Sequence, residues 1–242
     1  MTLSIAGRCA RTGQFGIAIT SSSPAVAARC AWVRAGVGAA CSQNITDPRL
    51  GMALLDRMEA GASSLAAMAE ITASEPLIAY RQLSAIDRDG VTATWSGEGT
   101  LGTHATAEGA DCVATGNLLA AADVPLAVVS AFITRPEDDL GDRLVAALTA
   151  GIEAGGEEGP VHSAGLLIVS DMPWPLSDLR VDWSCDPIAE LIALWRLWRP
   201  QADAYRLRAF DPSAAPSYGV PGNEGEGGRG ESGIGGMVTT IP

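Results

Sequence analysis

Hydrophobic periodicity switches repeatedly between strand-like and helix-like along the 242 residues, and that alternation limits the folds open to the chain. Residues 3–10 and 15–21 are short apolar runs separated by Arg11-Thr12-Gly13-Gln14, which predicts a hairpin. Residues 36–42 form a third run, of small side chains. The period then lengthens. Asp47-Pro48 supplies an N-cap acceptor and a proline at the first helical position, and Leu50, Leu54 and Met58 follow on one face. Gly61 ends that helix; Ser63 or Ser64 caps a second, which stops at Pro76. Strands return at 80–86, 91–95 and 111–115, helices at 124–133 and 140–152. Residues 164–169 are continuously apolar, as in a strand buried on both faces, and a last helix begins near Asp186-Pro187. Blocks of strands alternating with helix pairs imply an α+β fold of sheets covered by helix layers, not a βαβ repeat. Residues 1–211 read as one domain. Residues 212–242, rich in Gly, Pro, Ser and Glu, read as a disordered tail, having too little apolar surface to offset ordering entropy.

Charge narrows the function. The net charge is −12 and all 16 basic residues are Arg. Without a basic stripe, neither nucleic acid nor an anionic membrane is an expected partner. Without Lys there is no Schiff-base lysine, no P-loop lysine and no lysine general base. The five Cys are widely spaced and odd in number, which suits reduced thiols in a cytoplasmic protein. The first residues lack a secretory signal, and no apolar run has the length of a membrane-spanning helix. Two His and scattered carboxylates give no metal-ligand spacing, so no metal or other cofactor is expected.

Two motifs compete for the chemistry. Gly97-Glu98-Gly99-Thr100-Leu101-Gly102 matches the dinucleotide-binding pattern, but the residues after it lack the apolar stripe of a helix, and Glu98 would set a carboxylate beside the phosphates. It reads as a glycine-rich loop. The second motif is the start of the chain. Thr2 is small enough for enzymatic removal of Met1, which would leave a hydroxyl and a free α-amine on one residue at the head of a strand. Such an amine titrates at about 7.7–8.0, so it can take the hydroxyl proton and return it to a leaving amine.

The order of elements resembles the αββα layering of N-terminal-nucleophile (Ntn) hydrolases. More narrowly, the chain is similar to domain of unknown function family 1028. The similarity is carried by Thr2-Leu3-Ser4-Ile5, Thr12-Gly13, the run Ser-Ser-Ser-Pro-Ala-Val from Ser21, and Arg34-Ala35-Gly36-Val37-Gly38. It continues through Ser42-Gln43, Thr46-Asp47-Pro48, Arg81-Gln82, Gly116-Asn117-Leu118-Leu119, Ala154-Gly155-Gly156, Ser163-Ala164 and Pro187-Ile188-Ala189-Glu190-Leu191. Where relatives carry basic residues after the paired glycines, this chain has Glu157-Glu158, which read as solvated turn charges.

The resemblance implies a four-layer αββα sandwich, a homo-oligomer, and hydrolysis of a small-molecule amide-type C–N bond by Thr2. Asn44, with the backbone before the Asp47 cap, and Asn117 would serve the oxyanion. Ser21, Ser22, Arg34, Gln43 and His104 would contact substrate. The competing reading is a non-catalytic module of the same fold that binds a ligand or assembles with partners. Titration with NAD, NADP or FAD is expected to leave the melting temperature unchanged. A saturable rise at micromolar ligand would revive the dinucleotide site, since a ligand of the folded state stabilises by mass action.

Overall fold

The strand runs pair into two antiparallel sheets, giving a mixed α/β structure. The computed structural model describes residues 1–220. The hairpin of β1 (Thr2–Arg8) and β2 (Phe15–Ser21) leads through a short α1 (Val26–Cys30) to β3 (Ala31–Arg34) and β4 (Gly38–Asn44). The first helix pair, α2 (Pro48–Glu59) and α3 (Ser64–Ser74), is followed by β5 (Arg81–Asp87), β6 (Thr92–Ser96), β7 (Ala105–Gly109) and β8 (Cys112–Asn117). A second pair, α4 (Val124–Ile133) and α5 (Leu140–Glu153), precedes β9 (Ser163–Val169), β10 (Ser177–Val181) and α6 (Pro187–Trp198).

One sheet has the order β10-β9-β2-β1-β8-β7, the other β3-β4-β5-β6. Side-chain alternation explains how they are covered. In β1, Leu3 and Ile5 point into a core shared with Phe132 of α4 and Leu144 and Leu148 of α5, while Ala6 points the other way, toward Cys41 and Ile86 of the second sheet. On the far side of that second sheet, Leu83 and Ala85 meet Leu50, Leu54 and Met58 of α2 and Met68 and Ile71 of α3. The Asp47 cap read from sequence is in place, Ser63 and not Ser64 caps α3, and Asp186 at the expected start of α6 acts as its cap. Asp47 accepts from the Arg49 N–H at 3.1 Å, Ser63 from the Ala66 N–H at 3.2 Å and Asp186 from the Ala189 N–H at 3.2 Å.

Several elements leave no clear sequence signal. Helix α1 is too short to show a helical period. Strands β7 and β10 are the sheet edges and carry polar residues such as Thr106, Glu108, Asp178 and Arg180, so their apolar content is low. The loop 97–102 leads into β7 and not into a helix. Its backbone is tied down, with the Gly97 N–H donating to Arg81 O at 3.0 Å and the Gly99 N–H to Ala79 O at 2.7 Å. No helix begins at this loop, so the strand–turn–helix arrangement that a dinucleotide-binding motif uses for a pyrophosphate is missing there.

The chain divides into two compact units, Met1–Arg199 and Pro200–Pro242. In the second, α7 (Ala202–Phe210) is followed by residues without regular structure, and Arg208 lies 4.9 Å from the ring centre of Tyr205 and 3.8 Å from that of Tyr218. Of the tail expected to be disordered, residues 221–242 lie outside the described residues.

Gly165 decides how closely α1 approaches β9. A β-carbon there would collide with the Ala27 side chain and come within 3.2 Å of Leu179 O. Neither neighbour is a flexible side-chain tip that could swing aside. Gly165→Ala is therefore expected to destabilise the fold by about 1–3 kcal/mol, the usual range for overpacking, read as a lower midpoint in urea with unchanged slope.

Candidate active site

The layer between the two sheets is sorted by polarity along the strands. At one end it holds Ala6, Ile17, Ile19, Cys41, Ile86 and Val113. At the other, the same inward-facing alternation carries Thr2, Ser4, Ser21, Gln43, Gln82, Thr115 and Asn117, all buried. Burying that many polar side chains costs free energy unless each finds a partner, and the partners are here. Ser4 Oγ donates to Gln43 Oε1 at 2.8 Å and lies 3.1 Å from Thr115 Oγ1. Gln43 Nε2 and Asn117 Nδ2 both donate to Gln82 Oε1, at 2.8 and 3.0 Å. Gln82 Nε2 donates to Ser96 Oγ at 3.1 Å and to Gly116 O at 3.0 Å. Asn117 Oδ1 has no hydrogen-bond partner.

Thr2 sits at the mouth of this polar end. It pairs with Asn117 across β1 and β8, so the two side chains are neighbours on one face. It is 5% exposed, and its hydroxyl donates to Met1 O at 2.6 Å. Ser21 Oγ, on the opposite flank, donates to the same carbonyl. Residue 1 is thus held by its carbonyl between two hydroxyls, with its thioether end against Gly159, where a β-carbon would lie 3.3 Å from Met1 Cε.

Glu157 completes the surroundings. The loop carrying it is fastened to the turn after β8 by Ala120 N–H to Gly156 O at 3.0 Å and Glu158 N–H to Leu118 O at 2.8 Å. Leu118 takes a left-handed backbone, φ 50°, unusual for a branched residue and affordable only where the surroundings over-determine it. The result places the Glu157 carboxyl at 6% exposure, Oε2 accepting from the Ser22 N–H at 3.2 Å and Oε1 without a partner. Burial pushes this carboxyl up to about 7, against the opposing pull of the N-terminal amine and of the Ser22 N–H. Glu158 beside it is exposed.

The structure thus brings together Thr2, Ser21, Ser22, Gln43 and Asn117. His104 is exposed immediately before β7, its Nδ1 3.1 Å from Gly102 O. The pairing of Ala105 with Gly116 puts it at the same end, about 10 Å from Thr2 across two strand spacings. Asn44 is occupied elsewhere. At φ 70° its amide donates to Tyr80 O at 2.7 Å and accepts from the Leu101 N–H at 3.2 Å, clamping two loops. Arg34 is not part of the site. It pairs with Gly38, about 20 Å along β4 from Asn44, and its guanidinium is bound to Asp56 at 2.8 Å and Glu59 at 2.7 Å. Among the described residues no cluster of three or more His, Cys, Asp or Glu could hold a metal ion, and no helix is long and apolar enough to cross a membrane.

With this geometry in hand, comparison with known proteins is informative. Residues 2–191 match the family described as a family of unknown function, DUF1028. The chain belongs to this family. A crystal structure of a Silicibacter pomeroyi protein assigned to the same family superposes with a TM-score of 0.75 at 27% identity, covering 81% of this chain and 88% of that one. Anbu, an ancestral β-subunit from Yersinia bercovieri, aligns over 90% of this chain and all of its own at 10% identity, with a TM-score of 0.38, too low to carry an argument. No curated protein matches. The family assignment therefore brings a fold but no activity, and the chemistry has to be read from the residues.

Glu157, Gln82, Ser4 and Thr115 are members of the site that the sequence reading does not name as candidates. The paired acids after the glycines look like turn charges, and Glu157 corrects that reading, because the ladder to residues 118–120 buries it. Gln82 had a signal in principle: polar residues sit at inward-facing positions at matching ends of β1, β2, β4, β5 and β8, which a solvated surface does not require.

The raised carboxyl has a consequence for stability. Its folded value of about 7 exceeds its ordinary 4.5, so between those pH values the folded state binds more protons than the unfolded state. Its effect on stability is therefore most favourable below about pH 4.5 and is lost as pH rises through about 7. Relative to Glu157→Gln, the native protein should lose melting temperature across that window and be the less stable of the two at pH 8. Parallel pH-dependent curves for the two proteins would refute the shift.

Proposed function

We propose that the chain is an N-terminal-nucleophile hydrolase that cleaves a small-molecule amide-type C–N bond with Thr2 as nucleophile. The observation that carries this reading is the position of Thr2, at the head of a strand paired on both edges, facing a buried polar cluster and bracketed by Ser21 and Asn117. On this reading the two sheets with their outer helix pairs form a four-layer αββα sandwich of the Ntn type, acting as a homo-oligomer in the cytoplasm.

The chemistry requires that the mature chain begin at Thr2. Removing whatever precedes it frees the Thr2 hydroxyl, which now donates to the residue 1 carbonyl, and creates the α-amine that can act as base. No lysine is available for that task, and Arg stays protonated. Thr2 Oγ1 bonds to the substrate carbonyl carbon and the C–N bond breaks. The hydroxyl proton passes through the α-amine to the leaving nitrogen, and water then releases the acyl group from Thr2. Ser21 Oγ, already a donor to a carbonyl in this position, would polarise the substrate's, and Asn117 is the neighbouring side chain across the strand pair.

The competing reading, a non-catalytic member of the fold, applies if residue 1 stays on the chain, since its carbonyl then occupies both hydroxyls. Intact mass separates the two. A product beginning at Thr2 is expected, with activity on an amide, lactam or ureide panel that Thr2→Ala abolishes and Thr2→Ser keeps in part. Blocking the amine with an N-terminal tag should inactivate as fully as Thr2→Ala, and full activity of the tagged protein would end the free-amine mechanism.

A further inference from the structure

Residue 1 is itself an acyl group seated at Thr2, and its contacts describe what the site accepts. Its carbonyl oxygen takes hydrogen bonds from Thr2 Oγ1 and Ser21 Oγ. The Glu157 carboxyl stands next to this contact, its Oε2 accepting from the N–H of Ser22, the residue after Ser21. The thioether end of residue 1 rests against Gly159. The carbonyl and the side chain of one amino acid are thus each held by a separate feature of the protein, and a carboxyl lies beside them. That carboxyl belongs to a side chain more than nine-tenths buried, with one oxygen, Oε1, left without a partner. A buried carboxyl oxygen without a partner is costly, and it leaves open an acceptor that a ligand's charged donor can fill. No arginine side chain pairs with Glu157 among the described residues.

We propose that the site is built for α-aminoacyl amides, with the substrate's free α-ammonium held by Glu157 and its carbonyl set between Thr2 Oγ1 and Ser21 Oγ. The proposal rests on Thr2 being the nucleophile. In the present structure the acyl carbon is bonded to Thr2 N; in the acyl-enzyme it would be bonded to Thr2 Oγ1. Both atoms belong to residue 2, so the rest of the acyl group can keep its surroundings. Substrate and water give a free amino acid and an amine. The α-ammonium is unchanged throughout, and Glu157 binds it without exchanging a proton in the reaction. A charge-assisted contact of this kind is lost on acetylation of the amine, which removes the charge and adds bulk. The groups facing Glu157 are few. The amine of residue 1 and the Ser22 N–H act on the carboxyl, and the adjacent Glu158 is exposed.

The test uses protein beginning at Thr2 and four probes: methionine p-nitroanilide, its N-acetyl derivative, and methioninamide with and without N-acetylation as binding ligands. Methionine p-nitroanilide should be cleaved and methioninamide bound, each at least about tenfold better than the acetylated form. Glu157→Gln, which preserves shape and should fold, is expected to remove that preference by raising KM for the free-amine probe while leaving the acetylated probe unchanged. Equal handling of free and acetylated probes overturns the proposal, as does failure to bind either amide. Equal loss on both probes in Glu157→Gln also overturns it, since the carboxyl would then serve the α-amine of Thr2 itself. The nucleophile is judged separately. Binding of methioninamide without turnover supports recognition and sinks the hydrolase. Thr2-dependent cleavage of acetylated probes alone does the reverse.

Discussion

Strand β1 is hydrogen-bonded along its length to β2 on one side and β8 on the other, and the rest of the site hangs on that double pairing. A chain terminus is ordinarily the part of a protein that frays. Here the second residue is fixed in register opposite Asn117, with apolar neighbours Leu3 and Ile5 sunk into the core under α4 and α5. Thr2 is held by a sheet ladder, not by a loop. The same ladder dictates which residues can join it: those at inward-facing positions at the matching ends of the neighbouring strands.

The polar end of the inter-sheet layer works because its members satisfy one another. Gln82 is the hub, accepting from Gln43 and Asn117 while donating to Ser96 and Gly116. A network of this kind fixes side-chain orientations and holds the Asn117 amide beside Thr2. Two of its surrounding atoms are left over, Asn117 Oδ1 and Glu157 Oε1. Leftover buried acceptors at the end of a polar cluster cost stability, so they mark the place where the fold is not optimised for stability alone. The left-handed Leu118, which turns the chain toward the Glu157 loop, adds backbone strain at the same place.

Charge acts on two scales. Globally, an acidic chain whose cations are all arginine has no basic patch of lysines to attract phosphate polymers and no side-chain amine to serve as base. Locally, the arginines are spent on structure. Arg34 joins β3 to α2 through Asp56 and Glu59, and Arg8 is bound to Asp111 at 2.6 Å beside the β8 turn. Beside Ser21 and Ser22 stands a buried carboxyl, Glu157, whose ionisation is suppressed by desolvation and only partly opposed by the N-terminal amine and the Ser22 N–H. That balance makes Glu157 responsive to an incoming cation in a way that a surface glutamate is not.

The sequence by itself determined the alternation of strand blocks and helix pairs, the Asp47 cap, the helix start near Asp186-Pro187, and the candidacy of Thr2. Each of these is a local property, set by period, by one or two residues at a helix start, or by position in the chain. It also carried the family, through many short blocks spread over the chain. It could not reveal the edge strands β7 and β10, whose half-exposed faces carry little apolar signal, nor separate Ser21 and Gln43, which lie in the site, from Arg34, which lies at the far end of its sheet. Only tertiary structure decided those, because strand register and the facing of two sheets bring together residues more than a hundred positions apart. Glu157 is the clearest case. In sequence it is one of two adjacent acids after a glycine pair. The ladder to residues 118–120 buries one of the two against the start of the chain and leaves the other in water.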